Sequence, residues 1–198
     1  MKTKIILETL VLAAALTASQ AGAAPVSLQG STITGTYNGT AGGMLGLDSG
    51  FTPGPGSNTT AIEPGDPIGV EFFTGDYLFG IDFTTTGRLT VLSNGFVPVP
   101  ADYRMVFDFG AGFAQKIGGF TVLDTSGVAS LPALSVLNTH TIAIDLSSVS
   151  WNSEFGAFSV QIDAETAAAV PEPGSAALAL AGGAGLAQAR RRKHAAQR

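Results

Sequence analysis

Thirteen carboxylates, three cations (Arg88, Arg104 and Lys116) and one histidine are what residues 24–170 offer for chemistry, and the chain has no cysteine. Thiolate nucleophiles, thiolate metal sites and disulfides are therefore excluded. His140 stands alone in that stretch, with no G-x-S-x-G and no H-E-x-x-H to supply a nucleophile or a second ligand. It reads as a polar residue at the start of a strand. Two carboxylates about 5–10 Å apart could hydrolyse a glycosidic bond. Asp82, Asp108, Asp145 and Asp163 all fall on the polar phase of alternating segments, where most acids are solvated. The expectation is a protein that is not an enzyme, with a carbohydrate-active enzyme using a carboxylate pair as the alternative. Calcium takes oxygen ligands from carboxylates and loop carbonyls, and Glu63, Asp66, Glu71 and Asp76 surround a proline-rich loop and the first clear strand. No EF-hand or nonapeptide spacing accompanies them, so these four are the candidates for one ion in a chain otherwise expected to need no cofactor. A glycan would want an exposed aromatic platform. Trp151, beside Asn152, and Tyr103 are the candidates, with Tyr37 behind them, and core packing is the competing role.

Charge narrows the partners. The formal net charge of −5 averages over two basic ends; thirteen acids against three cations leave residues 24–170 near −10. Nucleic acid rewards clustered Lys and Arg, so it is excluded as a partner. An acidic surface suits solubility, divalent cations or a polyhydroxylated partner such as a glycan.

The elements that must position these groups are strands. Residues 27–38 form a polar, Thr-rich strand ending at the turn dipeptide Asn38-Gly39. Residues 39–69 are dense in glycine and proline and read as a long loop region, with one short strand near residues 44–47. Beyond it apolar residues alternate: Ile68, Val70 and Phe72; Tyr77, Phe79, Ile81 and Phe83; Leu89 and Val91 before Asn94-Gly95; Tyr103, Met105, Phe107 and Phe109. A break at 110–119 precedes Phe120 and Val122, then a Leu/Val-rich segment at 128–137; Ile142, Ile144 and Leu146 follow, and Phe158, Val160 and Ile162 close the series. Period two with one apolar face marks half-buried antiparallel strands. Eight or nine such strands, with no helical period of three turns and no repeat, predict a single all-β domain over 24–164, an antiparallel β-sandwich of jelly-roll-like wiring.

Both ends read as addresses. Lys2 and Lys4 precede an apolar run at 5–16, whose one charged residue is Glu8. Ala21 and Ala23 occupy the −3 and −1 positions of a cut before Ala24, with Gly22 and Ala24 the rival pair one residue on. That is a secretory signal peptide, residues 1–23, too short for a permanent span. At the other end an Ala-rich linker, 165–169, leads to Val170-Pro171-Glu172-Pro173, an apolar run at 174–189, the cluster Arg190-Arg191-Arg192-Lys193 and a tail, 194–198. The flanking prolines forbid helix or central strand around Glu172. Four cations would stay cytoplasmic, leaving the acidic motif and the body outside. As a helix the 16 apolar residues reach about 24 Å against a hydrocarbon core of about 30 Å. Gly182, Gly183 and Gly185 each cost roughly 1 kcal/mol of helix propensity. A transient transmembrane-like helix is expected, matching a signal helix at the other end.

The three-part arrangement over residues 170–193 resembles the PEP-CTERM sorting signal of bacterial exported proteins. The resemblance covers those 24 residues and nothing of the body. It implies recognition by exosortase, a membrane-embedded transpeptidase-like enzyme that removes the tail near the motif. It also implies an inner-membrane-anchored precursor, delivery to the cell surface or extracellular matrix, and association with exopolysaccharide and biofilm. The expected protein is an exported, structural or exopolysaccharide-associated surface component.

Overall fold

Two antiparallel sheets account for the period-two pattern, and the computed structural model describes residues 23–64, 69–95 and 101–166 of the chain. The first sheet has the order β3 (Thr59–Ala61), β1 (Thr32–Tyr37), β7 (Arg104–Asp108), β10 (Thr141–Asp145) and β9 (Ala133–Asn138). The second has the order β2 (Met44–Gly46), β4 (Phe72–Thr74), β5 (Phe79–Phe83), β6 (Arg88–Ser93), β11 (Ala157–Ala164) and β8 (Ile117–Asp124). The chain is all-β over the described residues, a β-sandwich. The described residues fall in one compact unit that ends at Thr166. The helices expected over the apolar runs at 5–16 and 174–189 lie outside the described residues.

The alternating residues meet between the sheets. Phe79, Ile81, Phe83, Leu89, Val91, Met105, Phe107, Ile142, Ile144, Phe158, Val160 and Ile162 are all buried. Phe107 of the first sheet touches two rings of the second, Phe83 at 5.0 Å and Phe72 at 5.6 Å between centroids. Edge-to-face and tilted rings at this spacing add to the burial of apolar area. Among the described residues no buried side-chain nitrogen or oxygen lacks a hydrogen-bond partner.

Three segments depart from the alternation. The Gly/Pro-rich stretch after residue 38 contains the expected short strand, β2, but also β3 and two 3₁₀ turns, Ala41–Gly43 and Leu47–Ser49. Asn58 ties this stretch to β1 by donating to the Gly35 carbonyl at 2.7 Å, and Asp48 accepts from the Ala61 N–H at 2.9 Å. Tyr77 does not continue the inward phase of β5. It sits before the strand with φ of +58° and is 48% exposed, because the chain turns there between β4 and β5. β8 begins at Ile117, inside the expected break. Val122 is 43% exposed although it pairs with Val160 on the core side, because β8 is an edge strand.

One hydrogen bond joins the two sheets through a titratable group. Tyr37, 6% exposed on β1, donates its hydroxyl to Asp76 Oδ2 at 2.9 Å. Burial first, then the hydrogen bond to Asp76 and its charge, push the phenol far above the ordinary tyrosine range. The folded body therefore disfavours ionised Tyr37. This stability is fully present below the unfolded pKa of about 10 and is lost as pH rises beyond it. In an alkaline titration followed at 295 nm, wild type and Tyr37→Phe should show the same phenolate step until the fold melts. A larger step in the wild type before melting would contradict the buried pairing.

Candidate functional site

A groove of about 600 Å³ lies between two segments of the body, residues 27–34 and residues 108–115. Leu28, fully buried, anchors the first segment, and its N–H donates to the Thr85 carbonyl at 2.8 Å. The second segment continues β7. Phe109 keeps the inward phase, packs against Phe83 at 5.9 Å and also meets Phe113 at 5.4 Å. Gly110, at φ +78°, then turns the chain, a conformation that a side chain would resist. Gln115 Oε1 closes the groove by accepting the Ser27 N–H. Ser27, Gln29, Ser31, Thr32 and Thr34 line one wall, and the half-buried ring of Phe113 stands in the other.

Asp108 is the one carboxylate among the lining residues. Strand register places it between Thr34 of β1 and Thr141 of β10. Its Oδ1 accepts the Gly110 N–H at 2.8 Å, the Nδ1–H of His140 at 2.8 Å and the Thr141 hydroxyl at 3.4 Å. Partial burial pushes this acid up, but those three donors and the imidazole's charge outweigh it and hold Asp108 below the ordinary aspartate range. Three donors on one oxygen fix the carboxylate plane, and none of them is directed at Oδ2. The side chain is 49% exposed. The arrangement is a fixed, ionised acceptor beside hydroxyls, an amide and an aromatic ring, with no cation lining it. His140 acts here as a positioning residue for Asp108. The pair joins residues 32 positions apart, so the sequence marks both residues but not their contact.

The other candidate residues lie elsewhere. Trp151 and Tyr103 are 8% and 9% exposed and both pack on Phe79, at 5.6 and 5.2 Å. Neither presents a ring face to a glycan, a correction that follows from their place in the inter-sheet core. Asp163 is also buried, at 5%, rather than solvated. Residues 24–26 run beside it and the Thr121 hydroxyl donates to its Oδ2 at 2.6 Å. Asp145 accepts the Ser147 hydroxyl and N–H at 2.6 and 3.0 Å, which hold it below the ordinary range.

The four calcium candidates do not form one set. Asp76 is committed at the β4–β5 turn to Tyr37, to the Thr74 hydroxyl at 2.6 Å and to the Leu78 N–H at 3.1 Å. Glu71 precedes β4 at its opposite end, is 5% exposed, and its Oε2 accepts the Phe83 N–H. Asp66 lies outside the described residues. Glu63 and Glu71 share a shallow hollow of about 280 Å³ with Asp82 rather than with Asp76. Among the described residues no three acids or histidines are arranged to hold a metal ion.

Of the processing residues, Ala23 is exposed and the Ala24 carbonyl accepts the Ala164 N–H of β11 at 2.7 Å. Ala21, Val170, Pro171, Glu172, Pro173, Arg190, Arg191, Arg192 and Lys193 lie outside the described residues. No family model, no curated protein and no solved structure matches the chain.

Proposed function

We propose that the chain is an exported, non-enzymatic β-sandwich protein, trimmed at both ends and delivered to the cell surface or extracellular matrix by an exosortase-type system. There it serves as a structural or exopolysaccharide-associated component. The observation that carries this reading is the run of proline-flanked Glu172, apolar segment and four cations directly after a finished domain. β11 ends at Ala164 and the compact unit at Thr166, so the motif begins a few residues beyond the last paired strand. At the other end, backbone pairing among the described residues starts with Ala24, at the expected signal cut. A cut before Ala24 keeps the acceptor of the Ala164 N–H; the rival cut before Pro25 removes it. Repeated crossing of the chain between the sheets supports a jelly-roll-like wiring.

Terminal sequencing of the protein from cells that carry an exosortase tests the reading. The expected N-terminus is Ala24-Pro25-Val26, and the C-terminus falls near Glu172, whereas cells without the exosortase keep the tail. An unchanged C-terminus in both strains contradicts the sorting claim. The hollow that gathers Glu63, Glu71 and Asp82 favours a second reading, a secreted carbohydrate-active enzyme. Release of reducing ends from polysaccharide that is lost in Glu71→Gln, with the fold intact, would establish it.

A further inference from the structure

We propose that the groove between residues 27–34 and 108–115 binds a neutral saccharide, with Asp108 Oδ2 as the acceptor for a sugar hydroxyl and Phe113 as the stacking wall. The inference deepens the reading of an exopolysaccharide-associated body by naming a contact site, and it rests on that reading only for where the sugar comes from.

Three observations select the ligand. The first is the held carboxylate. With Oδ1 taken by Gly110, His140 and Thr141, Asp108 is oriented before anything binds, so a hydroxyl donating to Oδ2 orders no further side chain. A hydrogen bond to an ionised acceptor is roughly twice as strong as a neutral one. The second is the lining. Ser27, Gln29, Ser31, Thr32 and Thr34 offer groups that both donate and accept, which matches hydroxyls and wastes itself on a hydrocarbon. The ring of Phe113, backed by Phe109 at 5.4 Å, gives the C–H face of a pyranose an apolar surface, so the groove pairs one apolar wall with one polar wall. The third is charge. No cation lines the groove, and the body carries thirteen acids against three cations, so a uronate or sulfated polymer meets repulsion without a compensating partner. An amine would use the carboxylate but leave the hydroxyl wall and the ring without a role.

The test is calorimetric titration of the purified full-length chain with neutral hexasaccharides of glucose, mannose, galactose and N-acetylglucosamine. A hexagalacturonate and a glucosamine hexamer serve as the charged arms. The expected result is binding of at least one neutral hexamer and none of hexagalacturonate. Asp108→Asn should weaken that binding about tenfold or more, and Phe113→Ala should do the same. Because Phe113 is half-buried, Gln29→Ala, an exposed groove residue, provides a third variant with a smaller loss and no burden on folding. Asp124→Asn, on exposed β8 and outside the groove, should bind as wild type. Circular dichroism and melting midpoints confirm that each variant is folded. The proposal is overturned if no neutral hexamer binds, if only a charged hexamer binds, or if binding survives in folded Asp108→Asn and Gln29→Ala unchanged. Since the assay uses purified protein, its failure leaves the processing experiment untouched, and the reverse also holds.

Discussion

Gly127→Ala should lower the melting midpoint of the body by about 6–12 °C, from a loss of about 3 kcal/mol or more. A Cβ built on Gly127 would fall far inside van der Waals contact with the backbone nitrogen and oxygen of Ala157. Those are backbone atoms of β11, which is hydrogen-bonded to β6 on one side and β8 on the other. A flexible side chain could swing away; a strand held on both edges cannot. Gly127 also exchanges bonds with its surroundings, its N–H donating to the Ala157 carbonyl at 3.1 Å and its carbonyl accepting from Asn152 at 3.0 Å. Relief of the clash therefore breaks hydrogen bonds or shifts β11. Gly112, with nothing within 4 Å of an added Cβ, is the control. Its substitution by alanine should leave the midpoint within about 2 °C, since open surface sites move stability by less than about 0.5 kcal/mol. Equal midpoints for the two variants would show that the packing of residue 127 on β11 is wrong.

Phe107→Ala comes second, at about 3–5 kcal/mol. The ring is fully buried and faces Phe72 and Phe83 across the sandwich, so its removal empties the place where the sheets touch. Two neighbouring rings cannot both collapse into that space without leaving their own contacts, which puts the cost in the upper part of the range for large-to-small changes. Domains of this size hold only about 5–15 kcal/mol in total, so the variant should be unfolded at a denaturant concentration that leaves wild type native. Phe155→Ala tests whether the effect belongs to burial. Phe155 is 69% exposed, and its removal should change stability little.

The inter-sheet core was legible in the sequence because alternation reports which side of a strand faces a neighbour. Phe79, Ile81 and Phe83, then Met105, Phe107 and Phe109, carry that signal and point inward. Where the structure departs from it, the cause lies beyond the local pattern. Tyr77 fits the alternation of β5 by type and spacing, but the positive φ of a turn removes it from the strand. β3 is three residues of Thr and Ala with no apolar period, held by pairing to β1 across 25 positions of chain at Thr34↔Thr59 and more at its neighbours. Val122 has the right phase, yet an edge strand leaves that face open. The groove was half legible. Asp108 and His140 each stand out as polar residues at strand ends, but the contact between them depends on the register of β7 against β10, which neither segment encodes alone. Trp151 shows the same limit from the other side. A lone tryptophan beside Asn152 fits a sugar platform or a core, and only its packing on Phe79 and Phe158 decides for the core.

Residues 24–166 produced alone, compared with the full-length chain by thermal unfolding, test most directly whether a sheet body stands complete between two removable ends. The account predicts one cooperative transition at the same midpoint in both proteins, with the same far-ultraviolet spectrum of a β protein. A fragment that fails to fold, or melts well below the full-length chain, would mean that the terminal segments belong to the body and that the delivery reading is wrong.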